Sequence, residues 1–188
     1  MKILVEVSGR HIHISKKDLE TLFGEGYQLN KVKQLSQPEE FACEESVRIE
    51  FGAKSFDKVR IVGPLREETQ VEISLTDAIG SGVVLPVKLS GDLENSMPVI
   101  IVGPKSSVEL QKGVIVAKRH IHCATAEAQE LGLKNNDVVS VRTEGERGLV
   151  FDNVVVRVSD NYKLAMHIDT DEGNAAGINK IGEGIILK

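Results

Sequence analysis

The sequence has no tryptophan, two tyrosines and five phenylalanines, so valine, isoleucine and leucine carry its apolar fraction. That balance favours a strand-rich fold with few aromatic anchors. Only Cys43 and Cys123 could pair, in a chain of 188 residues that has no need of stapling, so reduced thiols are expected. Positive charge is not in excess: the formal net charge is -5, which argues against a nucleic-acid binder and leaves any anionic ligand to local cations. No apolar run approaches the length of a membrane span. The opening stretch from Met1 to Val7 is broken by Glu6 too early for a signal peptide. A soluble, cytoplasmic protein is the expectation. Walker loops, dinucleotide fingerprints and Gly-x-Ser-x-Gly elbows are also missing.

What is present is a repeat. Arg10-His11-Ile12-His13 recurs letter for letter as Arg119-His120-Ile121-His122, and the fifth and last histidine is His167. Each block follows a strand-like run, Ile3 to Val7 in the first case and Gly113 to Ala117 in the second. Each precedes a short helix stopped by glycine: one capped by Ser15 and ended at Gly24, the other from Thr125 to Leu131 and ended at Gly132. Short alternating strands follow both, at Val47–Phe51, Val59–Val62, Thr69–Ser74, Val83–Leu89 and Val99–Val102, then at Asp137–Arg142, Val154–Val158, Lys163–Ile168 and Ile185–Leu187. Residues 28–42 show little periodicity and read as an ordered connector. The order strand, HxH, helix, strands occurs twice, which predicts an internal duplication. The expected fold is mainly β: two related small β-barrels capped by short α-helices, with the histidine blocks meeting at their junction.

Residues i and i+2 of a strand share a side, so His11 and His13 can face one metal ion while Ile12 faces the core. His120 and His122 can do the same around Ile121. Imidazole is a common zinc ligand, and two histidines leave a site that needs a third donor. A single HxH strand is commonly no more than a solvated face; two matched blocks, each led by arginine, favour metal. His167 is a candidate to complete one pair. For the other a carboxylate must serve, with Glu72 first among candidates and Glu6 and Asp169 behind it. Arg66, on the turn after Gly63-Pro64, has the fork to bind a phosphate or carboxylate. Arg10 and Arg119 suit either a structural carboxylate or an anionic substrate. Cys43 and Cys123 read as buried thiols with no nucleophile signature.

The chain resembles the PduL-type phosphotransacylases, or phosphate propanoyltransferases, through nearly its whole length. The motifs that carry this are Ser8-Gly9-Arg10-His11-Ile12-His13-Ile14-Ser15, Gly63-Pro64-Leu65-Arg66, Thr69-Gln70-Val71-Glu72-Ile73-Ser74 and Ser90-Gly91-Asp92. Lys118-Arg119-His120-Ile121-His122 and His167-Ile168-Asp169-Thr170-Asp171-Glu172 complete the set. The resemblance implies one barrel from residues 1–9 and 118–188 and another from 10–117. It implies two zinc ions, one on His11, His13 and Glu72 and one on His120, His122 and His167, with Arg66 on the phosphate. The implied reaction is reversible transfer of a short acyl group between coenzyme A and phosphate, so acyl-CoA, phosphate and acyl phosphate are the expected partners. Nucleic acid and membrane are not expected partners; a homo-oligomer is compatible.

The chain departs from the expected pattern at Glu39 and Glu40 (usually glycine, then glutamine), at Lys88 (usually arginine) and at Ala124, which leaves Thr125 to cap its helix. With Met1 only ten residues before His11, no amphipathic microcompartment-targeting extension is expected. Two rival readings are a metal-dependent thioester hydrolase, which would need no phosphate, and a non-catalytic zinc-binding module, whose coordination would be closed.

Overall fold

The computed structural model describes residues 1–187 and is mainly β. In chain order the elements are β1 (Lys2–Ser8), β2 (His11–His13), α1 (Lys16–Phe23), β3 (Lys31–Gln34), β4 (Phe41–Phe51), β5 (Lys54–Gly63), β6 (Gln70–Glu72), α2 (Leu75–Ala78), β7 (Val87–Lys88), β8 (Met97–Val102) and β9 (Ser107–Ala117). They continue as β10 (His120–Cys123), α3 (Thr125–Leu131), β11 (Val138–Thr143), β12 (Val150–Val158), β13 (Ala165–Asp169), α4 (Thr170–Ala176) and β14 (Ile181–Leu187). Among the described residues no helix is long and apolar enough to cross a membrane.

Two compact units arise, one from Met1–Gly9 with the chain from Lys118 on, the other from Arg10–Ala117. The first is a closed barrel in the order β1-β13-β10-β12-β11-β14, sealed by antiparallel pairing of β14 with β1. In the second, β8 pairs with both β4 and β9, so the path β9-β6-β2-β5-β4-β8 also closes into six strands, with β3 and β7 added outside the ring. The two rings match strand for strand. In each, the HxH strand lies parallel to one neighbour (β5 or β12) and antiparallel to the other (β6 or β13), and that last strand is parallel to β9 or β1. The duplicated sequence thus builds the same barrel twice.

Each ring has its own apolar interior, as alternation along a closed sheet requires. In the central unit β4 turns Cys43, Val47, Ile49 and Phe51 inward against Ile12, Ile61, Val71 and Val99. In the other, Val5, Ile121, Val154, Val156 and Met166 do this. The central isoleucines of the HxH blocks, Ile12 and Ile121, are fully buried, which fixes the flanking histidines on the opposite face. Gly52 makes the β4–β5 turn at φ +52°, and a Cβ there would stand 2.3 Å from the Ser81 carbonyl oxygen, so only glycine fits.

The helices expected at Ser15 and Thr125 are present. Ser15 accepts from the Asp18 N–H and Gly24 ends α1. In α3, however, the N-cap is Ala124, not Thr125; no side-chain oxygen caps the helix, and the Ala124 N–H donates instead to Glu127 Oε2 at 2.8 Å. The connector over 28–42 contains β3 and the start of β4. Conversely, the apolar run Val83–Leu89 is strand only at Val87–Lys88, because Val84 and Val87 stay exposed and Pro86 cannot donate to a ladder.

Candidate metal centre and anion site

In the central unit, β2 places His11 and His13 on one side with their Nε2 atoms 3.1 Å apart. The neighbouring strand β6 runs antiparallel, and its register sets Glu72 directly across from His11 and Gln70 across from His13. The Glu72 carboxylate lies 3.6 Å from His11 Nε2 and 3.7 Å from His13 Nε2. Ligand atoms of all three residues fall within 4.8 Å of one another, close enough to share one ion. His13 Nδ1 approaches the Val62 carbonyl at 3.3 Å; with the proton there, the Nε2 lone pair faces Glu72. Burial above all, then the nearby His11 and Arg66, holds the His13 pKa well below its ordinary value, which keeps it a neutral donor.

Glu72 is buried, and burial alone would push its carboxyl up. His11, His13, the Ser90 hydroxyl and Arg66 outweigh that and hold it at about 2, so it is a carboxylate. Its Oε1 accepts from Gln70 Nε2 at 2.6 Å and from the Ser90 hydroxyl at 2.8 Å. Gln70 is itself oriented by the Gly91 N–H, which donates to its Oε1 at 2.8 Å. Ser90 Oγ also accepts from Arg66 at 2.9 Å, so a half-buried guanidinium stands one hydroxyl away from the carboxylate. Arg66 is steered there by backbone: its N–H donates to the Ile14 carbonyl at 3.0 Å. Its guanidinium also lies 3.5 Å from the Glu40 carboxylate.

The other unit repeats the arrangement with a different third residue. His167 on β13 sits directly across from His120 on β10, as Glu72 does from His11. The rings of His120, His122 and His167 gather with centroids 4.6, 4.9 and 5.3 Å apart. His120 Nδ1 meets the Lys118 carbonyl at 2.9 Å; with the proton there, Nε2 carries the lone pair. Tyr162 stacks on His122 with centroids 4.0 Å apart. Two imidazoles and a carboxylate, or three imidazoles, are donor sets that suit zinc and leave a coordination position open.

The sequence model of the phosphate propanoyltransferase family matches residues 4–179. A phosphate propanoyltransferase of Thermotoga maritima is 51% identical over 94% of this chain and 85% of its own length. One from Clostridioides difficile is 49% identical over 99% and 89%, and one from Sebaldella termitidis 46% over 100% and 89%. The chain belongs to the phosphate propanoyltransferase family. It is therefore an enzyme, a phosphate acyltransferase.

Within that family frame, the six expected ligand residues fall into two trios, and Arg66 lies beside one of them. Of the weaker third-ligand candidates, Glu6 pairs with His167 across β1–β13, its carboxylate 3.8 Å from His167 Nδ1 and so beside the second trio, while Asp169 caps α4. Arg10 and Arg119 bind protein carboxylates, Asp77 and Glu172. Sequence reasoning assigned no role to Gln70, Ser90 or Tyr162, whose contacts depend on register and on loops. It also overlooked α2 and α4, although the capping boxes Ser74-x-x-Asp77 and Asp169-x-x-Glu172 were there to be read.

Proposed function

We propose that the chain transfers a short acyl group reversibly between coenzyme A and phosphate. One zinc ion would be held by His11, His13 and Glu72, and a second by His120, His122 and His167. The observation that carries this reading is the Arg66–Ser90–Glu72 chain of hydrogen bonds, which sets an anion-binding guanidinium beside a metal-type trio. Zinc, when bound, supplies Lewis-acid polarisation of a thioester carbonyl and a soft acceptor for a departing thiolate.

The chain's own residues do the rest. Gln70 and Ser90 occupy Oε1 of Glu72, which leaves Oε2 toward His11 for the ion. Arg66 binds a phosphate through charge-assisted hydrogen bonds, offsets its charge and aims one oxygen at the acyl carbon. That oxygen forms the new C–O bond, the C–S bond breaks, and its electron pair leaves on the coenzyme A sulfur. No protein nucleophile enters. Cys43 and Cys123 are both fully buried, and burial pushes each thiol up to about 11.

The test is release of coenzyme A from acetyl- and propanoyl-CoA with and without phosphate. Transfer predicts release that requires phosphate, or arsenate in its place. Equal release in phosphate-free buffer would replace transfer by hydrolysis.

A further inference from the structure

The arginine that opens each repeated block sits in the same three-sided environment in both units. Arg10 donates from Nε to Asp77 Oδ2 at 3.1 Å and from Nη2 to Asp77 Oδ1, a bidentate grip, and its guanidinium lies 4.3 Å from the Phe56 ring centroid. Arg119 donates from Nη1 to Glu172 Oε1 at 2.7 Å and from Nε to the Asp152 carbonyl at 2.7 Å, with its guanidinium 5.6 Å from the Phe151 centroid.

The positions correspond. Asp77 is five residues past Glu72, and Glu172 is five past His167. Each carboxylate is the N3 residue of a capping box: Asp77 Oδ2 accepts from the Ser74 N–H, and Glu172 Oε2 from the Asp169 N–H. The aromatic correspondence also holds. Phe56 is four residues before Arg60, which faces His11 across β2–β5, and Phe151 is four before Val155, which faces His120 across β10–β12.

We propose that Arg10 and Arg119 are positioning residues, each clamping the HxH strand of its own unit to the short helix, α2 or α4, that follows the third ligand. The inference rests on the metal reading above. An isolated exposed ion pair would contribute little. Here the arginine joins three elements around the trio: the strand it precedes, the parallel neighbour bearing the ring, and the helix that continues from the antiparallel neighbour bearing Glu72 or His167. Such joining matters because β2 is only three residues long and β10 four, too short for ladder bonds alone to hold ligand spacing.

The test is zinc affinity by chelator competition, read one trio at a time. In a His122→Ala background, the remaining ion reports the trio of the central unit. Arg10→Gln and Asp77→Asn should each weaken that ion about tenfold or more, with Arg10→Lys in between, because it keeps the charge and loses the fork. In a His13→Ala background, the same substitutions should leave zinc affinity unchanged, while Arg119→Gln and Glu172→Gln should each weaken it. Unchanged affinity in every arm would overturn the clamp. So would equal weakening of both trios, since that is general destabilisation. Two variants per clamp, with thermal unfolding of each, keep the test readable if one fails to fold. Lack of zinc binding by the unaltered protein would overturn the metal reading itself, and the clamp with it.

Discussion

Glu72 and His167 occupy the same rung of two equivalent ladders: each faces the first histidine of its unit's HxH strand from the antiparallel neighbour. The two trios therefore differ in one side chain on a shared frame. Glu72→His should consequently keep zinc in the central unit within about tenfold of the unaltered protein, because the proposed second site uses three imidazoles on this geometry. Glu72→Ala should lose about a hundredfold or more, since a donor itself is removed and even supporting residues around a metal are worth 10- to 100-fold. Chelator competition separates the two. If Glu72→His binds as poorly as Glu72→Ala, the rungs are not functionally equivalent.

Arg66 is predicted to act on phosphate. Truncation to alanine removes charge-assisted hydrogen bonds worth about 1.5–3 kcal/mol, a ten- to hundredfold rise in the phosphate KM. The acyl-CoA KM should move much less. Initial-rate kinetics with each substrate varied will show the split, and equal increases in both constants would take Arg66 out of this role.

Glu40 lies 3.5 Å from the Arg66 guanidinium, so in the proposed site it would compete with phosphate. Partly exposed ion pairs are worth about 0.2–1 kcal/mol. Glu40→Gln should therefore lower the phosphate KM by up to about fivefold, opposite in sign to the Arg66 change. A raised phosphate KM would mean that Glu40 aligns Arg66 and does not compete with the substrate.

The thiols should be inert. With pKa values pushed up to about 11 and no exposure, Cys43 and Cys123 present a thiolate fraction on the order of one in a thousand at pH 8. The folded protein should resist thiol reagents until denaturant is added, and Cys123→Ser should turn over at nearly the normal rate. A folded but inactive serine variant would point to a covalent thiol route.

Much of this was legible in the sequence, because the signals were local. The i, i+2 histidines around a buried isoleucine, the alternating strands, Ser15 with Gly24, and Gly132 all report through neighbours a few residues apart. Glu72 was readable as a site-facing residue in an alternating strand; that it faces His11 is a matter of register with a strand some sixty residues earlier. The strand β3 gave no signal since all four of its residues are exposed and no face is apolar-selected. The run at Val83–Leu89 misled for the opposite reason, being apolar although only Val87–Lys88 is paired. Ser90, Gln70 and the arginine clamps are contacts across 18 to 67 residues, which local patterning does not report.

The central claim is that two metal trios on matched barrels support phosphate-dependent acyl transfer. Zinc titrated into chelator-stripped protein, with bound metal and acyl phosphate formation read on the same samples, tests it most directly. Transfer should be absent in the stripped protein and return as zinc binds, while His13→Ala and His122→Ala should each bind one ion fewer and fail to recover. A stripped protein that forms acyl phosphate at the full rate would contradict the account.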